Sequence, residues 1–197
     1  ATDFEPIGLV AEVPMTLIAR SDFPAKNLSE FITYVKANSA KMNFANAGLG
    51  SASHLCGLIF QNAIKTEIQT VPFKGTADAM TALIGKQVDF LCDQTTNTTE
   101  QIKAGRVKAY AVTSPKRLSN FADLPTLAES GFPGFQVAVW HGLWAPKGTP
   151  KSVIDKLVSS LNEGLKDAAF RDRMSKLGAE IYPAERATPK ALGEFAK

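Results

Sequence analysis

Met42-Asn43-Phe44-Ala45-Asn46-Ala47-Gly48-Leu49-Gly50-Ser51-Ala52-Ser53-His54-Leu55-Cys56-Gly57-Leu58-Ile59 reads as a strand, a glycine-bearing loop and the opening of a helix in direct succession. Met42 to Ala45 is a short strand, and the helix carries Leu55, Leu58 and Ile59. In an open α/β sheet this junction lies outside the carboxyl end of a strand, where ligands bind. Gly48 and Gly50 let the backbone approach a ligand closely, and Ser51 or Ser53 can cap the helix. Free N–H groups at such a helix start favour an anion, a carboxylate or a phosphate. The loop lacks the Lys of a Walker A sequence, and Gly48-x-Gly50 has no third glycine, so the nucleotide signals are weak. A tight turn with a capped helix is the alternative reading of the same residues.

The rhythm repeats on both sides. Upstream, two extended stretches, Ile7 to Val10 and Thr16 to Ala19, are broken at Pro14. Asn27 with Glu30 forms a capping-box variant for a helix bearing Leu28, Phe31, Ile32 and Val35. Downstream, Ile68 to Phe73 is a strand, and Ala79, Met80, Leu83 and Ile84 mark a helix stopped at Gly85. Val88 to Cys92 is a strand, Thr98 to Ala104 a polar helix, and Val107 to Thr113 a further strand. Alternating strands and three-turn helices predict an α/β fold with a largely parallel sheet. After Ser114 the texture changes. Prolines punctuate the chain, Phe135 to Val139 reads as a strand, and Thr149-Pro150, Asp167 and Thr188-Pro189 open helices. The first of these carries Val153, Ile154, Leu157, Val158 and Leu161.

Composition narrows the function classes. The net charge of +3 is too small, and its Lys and Arg too scattered, for a nucleic-acid binder. No apolar run approaches the roughly 20 residues of a membrane span, and no signal peptide is visible in this chain. Cys56 and Cys92 are far apart without paired His ligands, so no metal site is expected, and buried free thiols are preferred over a disulfide. Two further residues join the candidate site: Lys74 follows a strand and can steer an anion, and Asp93 follows another and can orient a ligand or cap the next helix. Ser51, His54 and Asp93 outline a triad and Cys56 with His54 a nucleophile pair, but no Gly-x-Ser-x-Gly elbow exposes the serine. Catalysis is the minor reading.

The chain resembles the Bug-type solute receptors of tripartite tricarboxylate transporters. The resemblance rests on Gly48-Leu49-Gly50-Ser51-Ala52-Ser53-His54-Leu55, Val71-Pro72-Phe73-Lys74-Gly75, Ala111-Val112-Thr113-Ser114, Leu124 to Gly131 and Trp140 to Pro150, in that order. It implies a periplasmic-binding-protein type II-like α/β fold, with one complete lobe and the C-terminal part of a second. Residues 1–15 would be a crossing strand, 16–113 the complete ligand-binding lobe, and 114–197 a return strand and helices of the other. The family's N-terminal half-lobe, with its Pro-Gly-Gly loop, has no counterpart here. The implied function is capture of a small carboxylate, an organic acid or an amino acid, for delivery to membrane permease subunits in the periplasm, without enzyme activity, cofactor or metal. The expected ligand contacts are Asn46, Ala47, Gly48, Gly50, Ser51, Ser53, His54, Lys74 and Asp93. A ligand-sensing effector domain and a small hydrolase are the competing functions. The apolar stripe from Val153 to Leu161 would need a cover: a homodimer partner or swapped elements, a retained N-terminal fragment, or the tail folded back on the first lobe, of which an intermolecular cover is preferred.

Overall fold

The computed structural model describes residues 3–197. They form two compact units, Pro14–Ala138 in one, and the chain up to Val13 with Val139–Lys197 in the other. The boundary falls downstream of the Thr113–Ser114 junction anticipated from the sequence. Backbone hydrogen bonds explain why: Val112 N donates to Pro125 O, Leu127 N to Val112 O and Val137 N to Thr113 O, stitching the proline-rich stretch to the preceding strand.

The Pro14–Ala138 unit is built from the second half of β1 (Phe4–Arg20), then α1 (Leu28–Asn38), β2 (Asn43–Asn46), α2 (Ala52–Ile64), β3 (Gln69–Pro72), α3 (Thr76–Ile84), β4 (Phe90–Gln94), α4 (Thr95–Lys103) and β5 (Val107–Val112). Its sheet order is β3-β2-β4-β1-β5. β2 is parallel to β3 and to β4, but β1 runs antiparallel to both β4 and β5. The sheet is therefore mixed rather than largely parallel, because β1 enters it against the direction of the strands on either side. β1 is also one continuous strand and not two stretches. Pro14 lacks an N–H, and it sits between the Ala11–Glu12 pairing with a later strand and the Met15–Ala19 pairing with β4, where no ladder donor is required.

Strand alternation sorts the core into two layers. Phe44 and Phe90 point to one face, where their rings lie 5.2 Å apart and Phe31, Phe60 and Tyr110 pack around them. Their neighbours Ala45 and Leu91 point to the other, against Ala79, Met80 and Leu83 of α3. α1 is entered as expected, with Glu30 N donating to Asn27 Oδ1 at 2.9 Å and Lys26 N to Glu30 Oε2 at 2.8 Å.

α2 turns its leucines outward. Leu55, Leu58 and Ile59 are 51%, 43% and 45% exposed, and the buried stripe is Ser53, Cys56, Gly57, Phe60, Gln61 and Ile64. Small residues on that stripe bring the helix down on the sheet: a Cβ at Gly57 would stand 2.0 Å from the Phe44 ring. Closeness also joins the cysteines. Cys56 on α2 and Cys92 on β4, both buried, form a disulfide with Cα atoms 6.1 Å apart, which overturns the expectation of free thiols.

The second unit contains the first half of β1, β6 (Ala138–Pro146), α5 (Lys151–Lys166), α6 (Ala168–Lys176), β7 (Glu180–Ile181) and α7 (Pro189–Phe195). The strand expected at 135–139 lies later, and the two tryptophans are inside it. Leu9, Tyr182 and Leu192 form its core with Trp144 against them, and Tyr182 donates to Glu12 Oε2 at 3.0 Å. Gly8 is required there: a Cβ would stand 2.8 Å from the Ala187 carbonyl carbon and 2.9 Å from Leu161. Asp167 and Thr188 cap α6 and α7 as expected, whereas Thr149 bonds back to Pro146 O and leaves α5 to begin after Pro150. On α5 only Leu165 is buried; Val153 is exposed, and Ile154, Leu157, Val158 and Leu161 are half-buried.

Candidate functional site

β2, β3 and β4 run the same way, so their carboxyl ends share one edge of the Pro14–Ala138 unit. The register pairs Asn46 with Pro72 and Ala45 with Leu91, and Phe73 N donates to Asn46 O at 2.9 Å. This places the loop after β2 beside the loop after β3 and one strand from Asp93.

The β2–α2 loop is held by its own side chains. Asn46, fully buried, accepts from Gly48 N at 2.9 Å through Oδ1. Gly48 (φ 116°) and Gly50 (φ 79°) occupy the left-handed region, which explains both glycines. A Cβ at Gly48 would also press to 3.3 Å from Phe73 O. Ser51 Oγ caps α2, accepting from His54 N at 3.1 Å. Gly50 N donates to His54 Nδ1 at 3.1 Å, which leaves the neutral ring's proton on Nε2. The N–H groups of Gly48 and Gly50 are therefore used internally. The first-turn donors left without a protein acceptor among the described residues are those of Ala52 and Ser53.

Buried polar atoms lie along the same edge. Asn46 Nδ2, Ser53 Oγ, Asp93 Oδ2 and Thr95 Oγ1 have no hydrogen-bond partner among the described residues. Asp93 is 1% exposed, and its Oδ1 accepts from Gln94 N at 2.7 Å and Asn97 Nδ2 at 3.2 Å. Burial pushes its carboxyl pKa up, opposed by Thr76, the Gln94 N–H and Asn97. Thr76 lies near enough to favour the ionised form, yet no hydrogen bond of normal geometry reaches Oδ2. Asp93 is thus both a helix-entry residue for α4 and an acceptor with one oxygen to spare. Thr16 and Thr98, fully buried, bond to each other at 2.6 Å behind it.

The structure brings Asn46, Ala47, Gly48, Gly50, Ser51, Ser53 and His54 into one loop and helix start, with Asp93 at the adjoining strand end. Lys74 reaches the same edge but keeps its side chain exposed. Thr95, Thr98 and Thr99, all fully buried, were missed. Their i, i+3, i+4 spacing is an inward helical stripe written in threonine instead of leucine. Of the groups behind the catalytic readings, Ser51 Oγ accepts from His54 N, His54 Nδ1 accepts from Gly50 N, and Cys56 is disulfide-bonded and so is not a free thiol.

The Tripartite tricarboxylate transporter family receptor model matches residues 1–192. The chain belongs to this family. A UPF0065 protein of the TAR-I ttuE-ttuC' intergenic region of Agrobacterium vitis is 45% identical over 192 residues, 98% of this chain and 56% of that protein. The solved periplasmic binding protein BugD is 59% identical with a TM-score of 0.94, covering 98% of this chain and 64% of that one. MatC of Rhodopseudomonas palustris, solved with bound malate, is 40% identical with a TM-score of 0.90, covering 98% and 65%. The fold is thus the mixed α/β fold of these periplasmic binding proteins. The chain spans about half the length of the curated relatives it matches, 56% and 57% for the first two. Among the described residues no helix is long and apolar enough to cross a membrane, and no His, Cys, Asp and Glu cluster forms a metal site.

Proposed function

We propose that the intact gene product is a periplasmic receptor, not an enzyme, that captures a small carboxylate and passes it to a tripartite tricarboxylate-type permease. The observation that carries this reading is the α2 entrance. Among the described residues, the unclaimed Ala52 and Ser53 N–H donors open α2 at the sheet edge that also carries the buried, unpartnered Asn46 Nδ2, Ser53 Oγ and Thr95 Oγ1. Donors at a helix N-terminus suit a carboxylate oxygen, and the hydroxyls and amide fix its orientation. Asn46 and His54 shape the loop, Ser51 caps the helix, and Asp93 supplies an acceptor for a hydroxyl or another donor on the ligand. Lys74 stands at the rim and draws anions in. The Pro14–Ala138 unit is read as the ligand-binding lobe, and the remainder as the C-terminal part of its partner lobe. A buried disulfide fits the oxidising periplasm, and a malate-bound relative fits a carboxylate ligand.

Titration calorimetry of the intact gene product against malate, adipate, citrate and glutamate tests the proposal. Saturable one-site binding is expected for at least one of them. Absence of heat across these and other mono-, di- and tricarboxylates overturns it.

A further inference from the structure

We infer that the Cys56–Cys92 disulfide is a positioning element for ligand capture, holding the entrance of α2 in register with the end of β4. This rests on the reading of the α2 entrance as the carboxylate site. The two cysteines stand at the seams of that site: Cys92 directly precedes Asp93, and Cys56 is one turn beyond Ser53.

The anchoring of α2 is uneven along its length. In its C-terminal half Phe60 packs 6.1 Å from the Phe31 ring and 6.2 Å from the Phe90 ring. Gln61 Oε1 accepts from Ile68 N at 2.7 Å, and Ile64 is buried. In the N-terminal half the inward residues are Ser53, Cys56 and Gly57. Among the described residues Ser53 Oγ has no partner, and Gly57 lies on the Phe44 ring without contributing a side chain of its own. The large apolar residues from the start to the middle of the helix, Leu55, Leu58 and Ile59, face outward. The covalent link at Cys56 is therefore the strongest restraint on the half that presents the donors. It closes a segment with a sequence separation of 36, so it also ties the first turns of α2 to the β4–α4 junction.

Removing the link frees the entrance while the C-terminal half stays seated. Cys56→Ala/Cys92→Ala, made in the intact gene product, is compared with the disulfide-bonded protein by calorimetry, using whichever of malate, adipate, citrate or glutamate the latter binds tightest. Amide hydrogen exchange is followed on both. The dissociation constant is expected to rise roughly tenfold or more, the equivalent of one charged hydrogen bond lost. Exchange should accelerate over residues 47–57 while 60–64 stay protected. Should the double-alanine protein fail to fold, Cys56→Ala/Cys92→Val fills the space at β4 with a strand-favouring side chain. A folded variant with affinity within about twofold of the parent, or with exchange rising evenly along α2, overturns the inference. Failure of the disulfide-bonded parent to bind any of the four acids counts instead against the site itself, and the exchange pattern still decides whether the link restrains the entrance.

Discussion

Replacing Gly57 by Ala puts a single methyl group where the fold has left no room. An ideal Cβ there stands 2.0 Å from both Cε1 and Cζ of Phe44. Carbon atoms rest at about 3.5–4.0 Å, so helix or ring has to retreat by roughly 1.5–2 Å. The ring cannot swing aside, because Phe44 is fully buried with Phe90 at 5.2 Å. Overpacking of this kind costs about 1–3 kcal/mol. The helical preference of Ala over Gly returns about 0.8–1 kcal/mol. An approach of 2.0 Å to a ring that cannot move puts the cost in the upper part of that range, about 2–3 kcal/mol, so the net expectation is a loss of roughly 1–2 kcal/mol, or about 2–8 °C in Tm for a chain of this size. Scanning calorimetry of Gly57→Ala against the parent measures it. The same retreat lifts the α2 entrance off the sheet, so binding of the tightest acid should weaken as well. A variant as stable as the parent, or more so, refutes the reasoning, since propensity alone predicts stabilisation.

Ser51→Ala removes the α2 cap and should weaken carboxylate binding by about 0.5–2 kcal/mol, roughly 2- to 30-fold; calorimetry showing unchanged affinity for the tightest ligand would remove Ser51 from the site. The Asp93 carboxyl is raised in the folded state above its ordinary value of 3.8. Its contribution is therefore fully present below that value and is lost as pH rises through the raised one. Asp93→Asn should flatten that part of the stability profile in urea titrations run at a series of pH values, and parallel profiles for parent and variant would contradict it. The half-covered stripe on α5 should be buried by a second copy or by a retained N-terminal fragment; light scattering with mass spectrometry of one sample should report a species heavier than 21.1 kDa, and a clean monomer of that mass counts against both covers and for a tail folded back within one chain.

How far the sequence could be read depended on how local each determinant is. The helix caps at Asn27, Asp167 and Thr188 are decided within four residues of chain, and the structure forms all three. The glycines of the β2–α2 loop are equally local, since Gly48 and Gly50 need left-handed backbone angles. Pro14 misled for the opposite reason. A proline breaks a strand only when its missing N–H is needed by a neighbour, and the neighbours of β1 change at that point. The buried threonines of α4 were hidden because an inward stripe of hydroxyls looks the same in sequence as a solvated face, until Thr16 is found opposite Thr98.

α2 concentrates what periodicity leaves undecided. Its sequence carries two stripes at helical spacing: large apolar Leu55, Leu58 and Ile59, and mostly small Ser53, Cys56 and Gly57 continuing into Phe60 and Ile64. Area burial favours the first by roughly 1.5–3 kcal/mol for each large side chain covered. The fold takes the second, because only that stripe lets α2 approach β2 closely enough for Gly57 to meet Phe44 and for Cys56 to reach Cys92. Part of the lost burial is offset by the link, since closing a loop of this length contributes about 3–4 kcal/mol. The choice of stripe also fixes which way the helix entrance faces. Had the leucines turned inward, Ser53 and Cys56 would have rotated away from the sheet, and Cys56 could not have reached Cys92 on β4. Packing and candidate chemistry in this lobe are thus settled by the same rotation of one helix.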